Sequence, residues 1–340
     1  MPRCSSVSTS GAFFQSTVVI TGAAAGVGRA AAMRFAAEGA KLGLISRDRT
    51  ALAQLAEEVR KAGGEADIAA VDVSDAQAVF AAADQFRNSL GSIDIWINDA
   101  MLTVFSPIAK ITPEEFKRVT EVTYLGVVHG SMAALKHMRR RGTGQIINIG
   151  SALAYRGIPL QSAYCGAKHA IRGFTASLRS ELEHDKLGIT ASILELPAMN
   201  TPQFDWARTH MARQPKPMGT IYQPEAAADA VLRAARTRAR EYWVGSSTVV
   251  TIVGNMIAPE FLDWYLARTA VEGQESAQKV RPDRCDNLFE PVTNLHRTHG
   301  SFGAEAKPKA TAFPGASTRI AIVAGGALLF FLMGVAVGRS

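Results

Sequence analysis

Short apolar runs alternate with longer stretches along most of the chain. Seven of these runs have the length of strands, and they cover residues 17–21, 41–46, 66–71, 93–97, 145–149, 189–194 and 241–245. The stretches between them suit helices. Strands that are apolar throughout and separated by helices indicate a parallel sheet covered on both faces. The pattern therefore predicts an α/β fold with a doubly wound parallel sheet of about seven strands.

The same pattern divides the chain into parts. Residues 1–15 form a lead whose brief apolar patch does not make a secretory signal. One α/β domain is predicted over 16–280, and a linker is predicted over 281–317 because the periodicity fades there. Within the domain, 251–280 is a helical extension. Its amphipathic stretch suits core packing or a dimer contact better than a lipid-facing surface.

The C-terminal tail, residues 318–340, has a different composition. Its 19 residues from Ile320 to Gly338 carry no charge, and Arg319 and Arg339 flank them. As a helix this run would be about 28 Å long, close to the thickness of the hydrocarbon core of a bilayer. We predict a single-pass transmembrane helix, with a buried core helix as the alternative. More positive charges precede the run than follow it, so the positive-inside rule places the domain in the cytoplasm.

Composition and charge narrow the classes of function. Of the 340 residues, 47% are hydrophobic and 20% are charged, which allows a sizeable core. The net charge of +7 suits phosphate-bearing ligands or an anionic membrane surface. Nucleic acid is not an expected partner, because no basic block has interleaved aromatic residues. Three scattered cysteines predict neither a disulfide framework nor a metal site, and they fit a reducing compartment.

The stretch SAYCGAKHAIRGF places Tyr164 and Lys168 four residues apart in a predicted helix. This spacing puts the phenol and the ammonium on one helical face, about 5–6 Å apart. A neighbouring cation lowers the pKa of a tyrosine, which is about 10 in water. The pair is a candidate general acid or base. On spacing alone, a solvated helix face is the alternative.

A glycine-rich turn follows the first predicted strand. It contains Gly22, Gly26, Val27 and Gly28, and the next helix begins there. Without side chains, the backbone can approach a pyrophosphate at the positive end of that helix. A turn that only packs closely is the alternative. Because the turn opens the alternation of strands and helices, we predict a Rossmann-type, dinucleotide-binding fold.

The spacing Gly-x-x-x-Gly-x-Gly resembles that of the classical short-chain dehydrogenase/reductase family, and further motifs follow in that family's order. They are VDVSD with Asp72 and Val73 after the third strand, INDAM with Asn98 after the fourth, NIGSALAY with Ser151 after the fifth, and ELPAMNTPQF with Pro197 and Thr201 after the sixth. Tyr164 and Lys168 come 13 and 17 residues after Ser151. The resemblance covers roughly residues 15–250.

The resemblance implies a role for each matching residue. Tyr164 would exchange a proton with the substrate oxygen, and Ser151 would hold that oxygen in place. Lys168 would lower the pKa of Tyr164 and bind the nicotinamide ribose, while hydride transfer belongs to the cofactor. The remaining cofactor contacts would be Asp72 and Val73 at the adenine, Asn98 near the adenosine half, and Pro197 and Thr201 at the nicotinamide end.

The end of the second predicted strand bears on the choice of cofactor. An NAD site has a carboxylate there, which bonds the ribose 2′-hydroxyl and repels a 2′-phosphate. Ser46 stands at this position instead, and Arg47 follows with a planar donor suited to phosphate. We predict NADP(H), with Arg47 as the 2′-phosphate ligand and Arg29 or Arg49 as helpers. An ordinary surface arginine beside Asp48 is the alternative.

Two positions depart from the family pattern. The usual Asn-Asn-Ala-Gly reads Asn98, Asp99, Ala100 and Met101, which adds a side chain and a charge beside the adenosine. Thr123 aligns with the family's fourth catalytic residue, an asparagine that helps to carry a water-linked proton relay. A hydroxyl binds water but lacks the amide's two donors and its carbonyl. Both changes predict weaker cofactor binding or slower catalysis.

Together these residues predict an NADP(H)-dependent oxidoreductase that interconverts an alcohol and a carbonyl. A membrane anchor would bring the pocket to apolar molecules, so a lipophilic substrate is expected, and a homodimer or homotetramer is compatible with the resemblance. One alternative is a membrane-tethered NADP(H)-binding protein without turnover, which the Ser151, Tyr164 and Lys168 set disfavours. The other is a nucleotide-sugar epimerase or dehydratase, which the short segment between strands six and seven disfavours.

Overall fold

The computed structural model describes residues 11–325. Its strands are β1 (Thr17–Thr21), β2 (Lys41–Ser46), β3 (Glu65–Ala70), β4 (Ile93–Asn98), β5 (Val104–Phe105), β6 (Thr143–Ile149), β7 (Gly188–Glu195), β8 (Ala198–Met199), β9 (Arg208–Thr209), β10 (Arg213–Pro215), β11 (Ile221–Tyr222), β12 (Glu241–Val244), β13 (Glu275–Lys279) and β14 (Ala312–Pro314). The seven runs predicted as strands lie in β1, β2, β3, β4, β6, β7 and β12, within two residues at each end.

Helices connect these strands. They are α1 (Gly26–Ala37), α2 (Arg49–Lys61), α3 (Ala76–Ser89), α4 (Pro113–Thr120), α5 (Gly126–Arg141), α6 (Ser162–His184), α7 (Gln203–Trp206), α8 (Pro224–Thr237), α9 (Ser246–Ile257) and α10 (Pro259–Gly273). Polar caps fix where several of them begin. The carboxylate of Asp48 accepts a hydrogen bond from the Thr50 amide at 2.8 Å and caps α2, and Thr112 and Glu115 form a capping box at α4.

The main sheet has eight strands in the order β3, β2, β1, β4, β6, β7, β12 and β14. The first seven strands run parallel, whereas β14 pairs antiparallel with β12. The predicted α/β fold with a Rossmann-type parallel sheet is therefore confirmed. In such a sheet the carboxyl ends of the parallel strands meet at one edge, so the loops that follow them come together there.

Both faces of the sheet are buried. One apolar cluster joins the sheet to α1, α2 and α8, and a second joins it to α3 and α5. All five residues of β1 are buried, and Trp96 and Trp243 have no exposed surface. This burial on two sides explains why the strands appear in the sequence as unbroken apolar runs.

The segment predicted as a linker, 281–317, packs on the domain instead. Residues 284–302, which we call the C-terminal strap, contact the loops that follow the sheet strands. The amide of Gly26 donates to the Arg297 oxygen at 3.1 Å, and the Gly300 amide donates to the Asn200 oxygen at 3.1 Å. Leu288 is fully buried. The strap is irregular, and tertiary hydrogen bonds rather than an apolar period hold it, so periodicity could not reveal it.

The helical extension forms α9 and α10, followed by β13. Only Thr248 and Ile252 of α9 and Leu266 and Ala270 of α10 are buried. The large apolar side chains of both helices are mostly exposed, and Ile257 is 75% exposed. Core packing or a dimer contact is the predicted role of this stretch. One side of each helix packs on the domain and the other side is exposed, and the dimer contact stays a prediction.

The end of the described chain is a helix over residues 315–325. Across residues 11–325, no helix combines the length and apolar character needed to cross a membrane. Most of the run predicted as a transmembrane helix, 320–338, lies outside the described residues.

Candidate active site

A single cavity of about 500 Å³ runs along the carboxyl edge of the sheet from β2 to α9 and α10. Most of the predicted site residues line it, namely Gly22, Gly26, Val27, Ser46, Arg47, Asp72, Val73, Ser151, Tyr164, Lys168, Pro197 and Thr201. Gly28, Asn98 and Thr123 do not line this cavity. The fold thus brings together side chains from widely separated parts of the sequence, because each follows a different parallel strand.

The glycine turn has the geometry of a cradle for a dinucleotide. Gly22 and Gly26 adopt φ values of +73° and +55°, which side chains disfavour. At Gly28, a Cβ atom would lie 2.5 Å from the Gly22 oxygen, so this glycine allows α1 to approach β1 closely. The N-terminus of α1 faces the cavity and can stabilise a pyrophosphate. The residues present therefore fit a dinucleotide cofactor at this end.

Ser151, Tyr164 and Lys168 form one wall of the cavity. Ser151 follows β6, while Tyr164 and Lys168 lie in the first two turns of α6. Ser151 and Tyr164 both line the cavity, and the Oγ atom of Ser151 accepts a hydrogen bond from the Leu153 amide at 3.1 Å. The Nζ atom of Lys168 lies 5.5 Å from the centre of the Tyr164 ring. It donates to the Ile149 oxygen at 2.6 Å, which holds the lysine against the end of β6.

Burial dominates the protonation of this group. It raises the pKa of Tyr164, the nearby Ser151 hydroxyl opposes this shift, and the carboxyls of Asp99 and Glu195 add to it. The net shift of the pKa of Tyr164 is thus upward, whereas a lowering by Lys168 was expected, and the contribution of Lys168 itself stays a prediction. Burial also lowers the pKa of Lys168, while Asp99 and Glu195 oppose that change. At neutral pH the phenol is protonated.

Glu195 is a buried carboxyl that the sequence analysis did not identify. It ends β7 with no exposed surface, and its Oε2 atom accepts from the Ser151 amide at 2.7 Å. Its Oε1 atom lacks a hydrogen-bond partner among the described residues. Burial raises the pKa of Glu195 to about 8, and the charge of Glu241 adds to the shift. The signal in the sequence was a single acidic residue at the end of an apolar strand.

Asn98 and Asp99 belong to the motif at the end of β4, and Asn98 does not have the position that the resemblance implies. Asn98 is 1% exposed, and its Nδ2 atom donates to Asn148 at 2.8 Å while its Oδ1 atom accepts from Trp96 at 2.8 Å. Its amide ties β4 to β6, so the structure does not support its assignment as a cofactor ligand. Asp99 lines the cavity instead, and its carboxylate lies close to Gly28, where an added Cβ atom would be 2.9 Å from Oδ2. Burial raises the pKa of Asp99, which reduces its negative charge beside the glycine turn.

Thr123 is placed differently from the predicted proton relay. Its side chain lies in the π-helical turn between α4 and α5 and has no exposed surface. The hydroxyl accepts from the Leu102 amide at 2.9 Å and donates to the Leu102 oxygen at 2.9 Å. Both of its hydrogen-bonding functions hold the loop after β4. The geometry therefore assigns Thr123 a structural role and not the predicted relay role.

Arg47 lies at the end of β2, and the C-terminal strap covers it. Its guanidinium donates to the backbone oxygens of Asn287 at 2.5 Å and Phe289 at 2.9 Å. Arg29, a predicted helper, is paired with Glu58 at 2.6 Å, and Arg49 is exposed at the start of α2. Sequence analysis missed the strap entirely, including its residues Asn287, Val292 and His296 that line the cavity.

Asp72 also has partners within the protein. Its Oδ1 atom accepts from the Ser74 amide at 2.9 Å and the Ser74 hydroxyl at 2.7 Å, and Oδ2 accepts from Arg118. Burial disfavours its charge, but these donors outweigh burial and lower the pKa of Asp72. Arg118 in turn donates to the Leu288 oxygen at 3.0 Å, so Asp72 helps to hold the strap.

Comparison with known proteins agrees with this geometry. Residues 16–211 match the family model described as short chain dehydrogenase. The chain is 31% identical over 281 residues to "Uncharacterized oxidoreductase YxnA" of Bacillus subtilis (strain 168), which covers 82% of this chain and 79% of that protein.

Two solved structures are also similar. An alcohol dehydrogenase from the archaeon Thermococcus sibiricus, complexed with 5-hydroxy-NADP, has a TM-score of 0.59 and 26% identity, covering 67% of this chain and 95% of that chain. An NAD+-bound xylitol dehydrogenase has a TM-score of 0.53 and 28% identity, covering 55% of this chain and 72% of that chain. Similar structures thus carry either form of the dinucleotide. With the matching family model and the Ser151, Tyr164 and Lys168 arrangement, the chain belongs to the short-chain dehydrogenase family of oxidoreductases.

Proposed function

We propose that the protein is an NADP(H)-dependent oxidoreductase that interconverts an alcohol and a carbonyl on a lipophilic substrate. The observation that carries this proposal is that Ser151, Tyr164 and Lys168 line one wall of a single continuous cavity, with Lys168 beside the Tyr164 ring, and that this cavity continues to the glycine turn. A proton donor and a dinucleotide cradle in one cavity are what carbonyl reduction requires.

The chain's own residues position and protonate the substrate oxygen. The nicotinamide of the cofactor supplies or accepts the hydride when it is bound. The Ser151 hydroxyl holds the substrate oxygen beside Tyr164. Because burial keeps the Tyr164 phenol protonated, it can donate its proton to the oxygen of a carbonyl as that oxygen gains charge. Lys168 lies next to the ring, where its charge stabilises the phenolate left behind.

Three neighbouring residues support NADP(H) as the cofactor. Ser46 leaves the end of β2 without a carboxylate to bond the ribose 2′-hydroxyl. The carboxylate of Asp48 caps α2, accepting from the amides of Thr50 and Ala51. Arg47 is at this end of the cavity and now donates to neutral carbonyl oxygens. A phosphate is a stronger acceptor than a carbonyl, so Arg47 would turn part of its guanidinium to the 2′-phosphate.

The substrate end of the cavity supports a lipophilic molecule. The wall beyond Tyr164 is largely apolar, and it includes Leu153, Ile158, Met218, Val250, Leu262 and Leu266. Polar side chains such as Arg156, Gln161 and Thr248 also line the cavity, so selectivity would combine shape and apolar contact with a small number of hydrogen bonds.

We also propose that residues 320–338 anchor the protein in a membrane, with the catalytic domain in the cytoplasm. The uncharged run and the excess of Lys307, Lys309 and Arg319 over Arg339 support this orientation. Assembly as a homodimer or homotetramer stays a prediction.

A panel of carbonyl compounds of increasing chain length, assayed by NADPH oxidation, tests the function. We expect kcat/KM to rise with the length of the apolar chain. Tight NADPH binding without oxidation by any member of the panel would favour the non-enzymatic binding protein. Conversion of a nucleotide sugar without net NADPH oxidation would favour an epimerase or dehydratase.

A further inference from the structure

Six large apolar side chains are exposed on α9, on α10 and at the end where these two consecutive helices meet. We call this surface the apolar ridge, and its members are Val250, Met256, Ile257, Phe261, Trp264 and Tyr265. Each is between 43% and 75% exposed. The rings of Phe261 and Trp264 stack with their centres 5.8 Å apart, and Phe261 also stacks on Tyr265 at 6.2 Å. Residues three and four apart project from one helical face, so these rings point the same way.

The side chains of the ridge do not attach α9 and α10 to the domain. Ile252, Leu266 and Ala270 attach the two helices to the domain from the opposite side. Nothing among residues 11–325 covers the ridge itself. Contiguous exposed apolar patches on a protein are typical of interaction sites with proteins, ligands or membranes.

Two members of the ridge also border the cavity. Val250 and Tyr265 both line the cavity and are exposed, at 70% and 43%. Leu262 and Leu266 line the wall further inside, which leads towards Tyr164. A substrate that passes between α9 and α10 therefore crosses an apolar surface before it reaches the proton donor.

The ridge also lies near the start of the C-terminal helix. Arg319 of that helix donates to the Tyr155 hydroxyl at 3.0 Å and pairs with Glu241. The backbone oxygen of Tyr155 accepts from Asn255, which is adjacent to Met256, at 2.9 Å. Asn255 at the end of α9 and Arg319, which precedes the uncharged run, thus both contact Tyr155. Ile320 and Val323, which follow, are 70% and 71% exposed.

We propose that the apolar ridge docks into the interfacial region of a lipid bilayer, and that a lipophilic substrate enters the cavity from the bilayer between α9 and α10. This inference rests on the proposed lipophilic substrate and membrane anchor. Aromatic residues such as Trp264 and Tyr265 favour the membrane interface. The guanidinium of Arg268 lies 4.4 Å from the centre of the Trp264 ring and is placed to meet lipid phosphates. A second copy of the chain on the ridge would cover this route, whereas fluid lipid leaves it accessible.

Tryptophan fluorescence of the full-length protein tests the docking. The protein is reconstituted into vesicles of phosphatidylcholine and phosphatidylserine with brominated acyl chains, which quench nearby indole rings. We expect quenching in the wild type that is largely lost in Trp264→Phe. Of the other three tryptophans, Trp96 and Trp243 are fully buried, and Trp206 is half-buried in the cavity wall. Equal quenching in both proteins would overturn the proposal. It would show that Trp264 does not reach the acyl chains.

A kinetic comparison tests the entry route. In vesicles, Phe261→Glu is expected to raise KM for a long-chain carbonyl at least tenfold, with little change for a short, water-soluble carbonyl. Ile108→Glu is the matched control, because Ile108 is 66% exposed and does not line the cavity. Equal effects on both carbonyls would contradict entry through the ridge. Loss of all carbonyl reduction in the wild type, with Trp264 still quenched, would refute the proposed function and leave the docking surface intact.

Discussion

Arg47 and Phe289 are 242 residues apart in the chain, yet the guanidinium of Arg47 donates to the Phe289 oxygen at 2.9 Å. This bond joins the predicted 2′-phosphate ligand to the C-terminal strap. The same arginine therefore has two functions in our proposal, to hold the strap and to bind the cofactor phosphate. Substitution can separate them.

Arg47→Ala is expected to weaken binding of NADPH about 10–100-fold and binding of NADH much less, because a charge-assisted hydrogen bond to phosphate is worth more than one to a carbonyl. Isothermal titration with each dinucleotide measures this difference. Arg87→Ala is the control, since Arg87 is exposed on α3 and does not line the cavity. An equal loss for both dinucleotides, with faster hydrogen exchange in 284–302, would mean that Arg47 holds only the strap.

Tyr164→Phe removes the proposed proton donor and keeps the ring. We expect turnover to fall by about 10²–10⁴-fold while NADPH binding and thermal stability are retained. Tyr242→Phe serves as the control, because the Tyr242 hydroxyl meets Thr237 at 3.1 Å and does not line the cavity. If Tyr164→Phe reduced carbonyls at the rate of the wild type, another group would have to supply the proton.

Thr123→Val is expected to lower the free energy of unfolding by about 1–3 kcal/mol, because it leaves the buried amide and oxygen of Leu102 without their partner. Thr123→Ser keeps the hydroxyl and should be milder. Chemical denaturation measures both variants. A solvent isotope effect on turnover that changes in Thr123→Val at full stability would restore the relay role.

The raised pKa of Glu195 should make the free energy of unfolding depend on pH. Its pKa of about 8 in the folded protein is above the usual value of 4.5, so folding favours its protonated form. Stability from this group is fully present below pH 4.5 and is lost as pH rises through 8. Between pH 5 and pH 8.5 we expect wild type to lose about 1–4 kcal/mol relative to Glu195→Gln, which keeps an acceptor for the Ser151 amide.

Urea unfolding of the wild type and Glu195→Gln across this pH range provides the measurement. Parallel curves would show that Glu195 is ionised in the fold at pH 5 or is reached by water.

The local pattern of residues was sufficient to predict the strands of the sheet and most of the residues that line the cavity. Parallel strands buried on two faces must be apolar throughout, and the glycine turn needs residues without side chains, so both leave a signature in neighbouring positions. The i, i+4 spacing likewise placed Tyr164 and Lys168 on one face of α6. These features depend on chain geometry over a few residues, which the sequence displays directly.

Only the tertiary structure decided which polar side chains are buried and which hydrogen-bond partners they have. The motifs predict functional roles for Asn98 and Thr123. In the structure, their hydrogen bonds to Asn148 and Leu102 stabilise the fold instead. The strap shows no period because its contacts are with loops far away in the chain. Glu195 and Tyr164 owe their raised pKa values to burial, which results from packing of the whole domain. Such effects depend on distance in space, and the linear order of residues does not contain that distance.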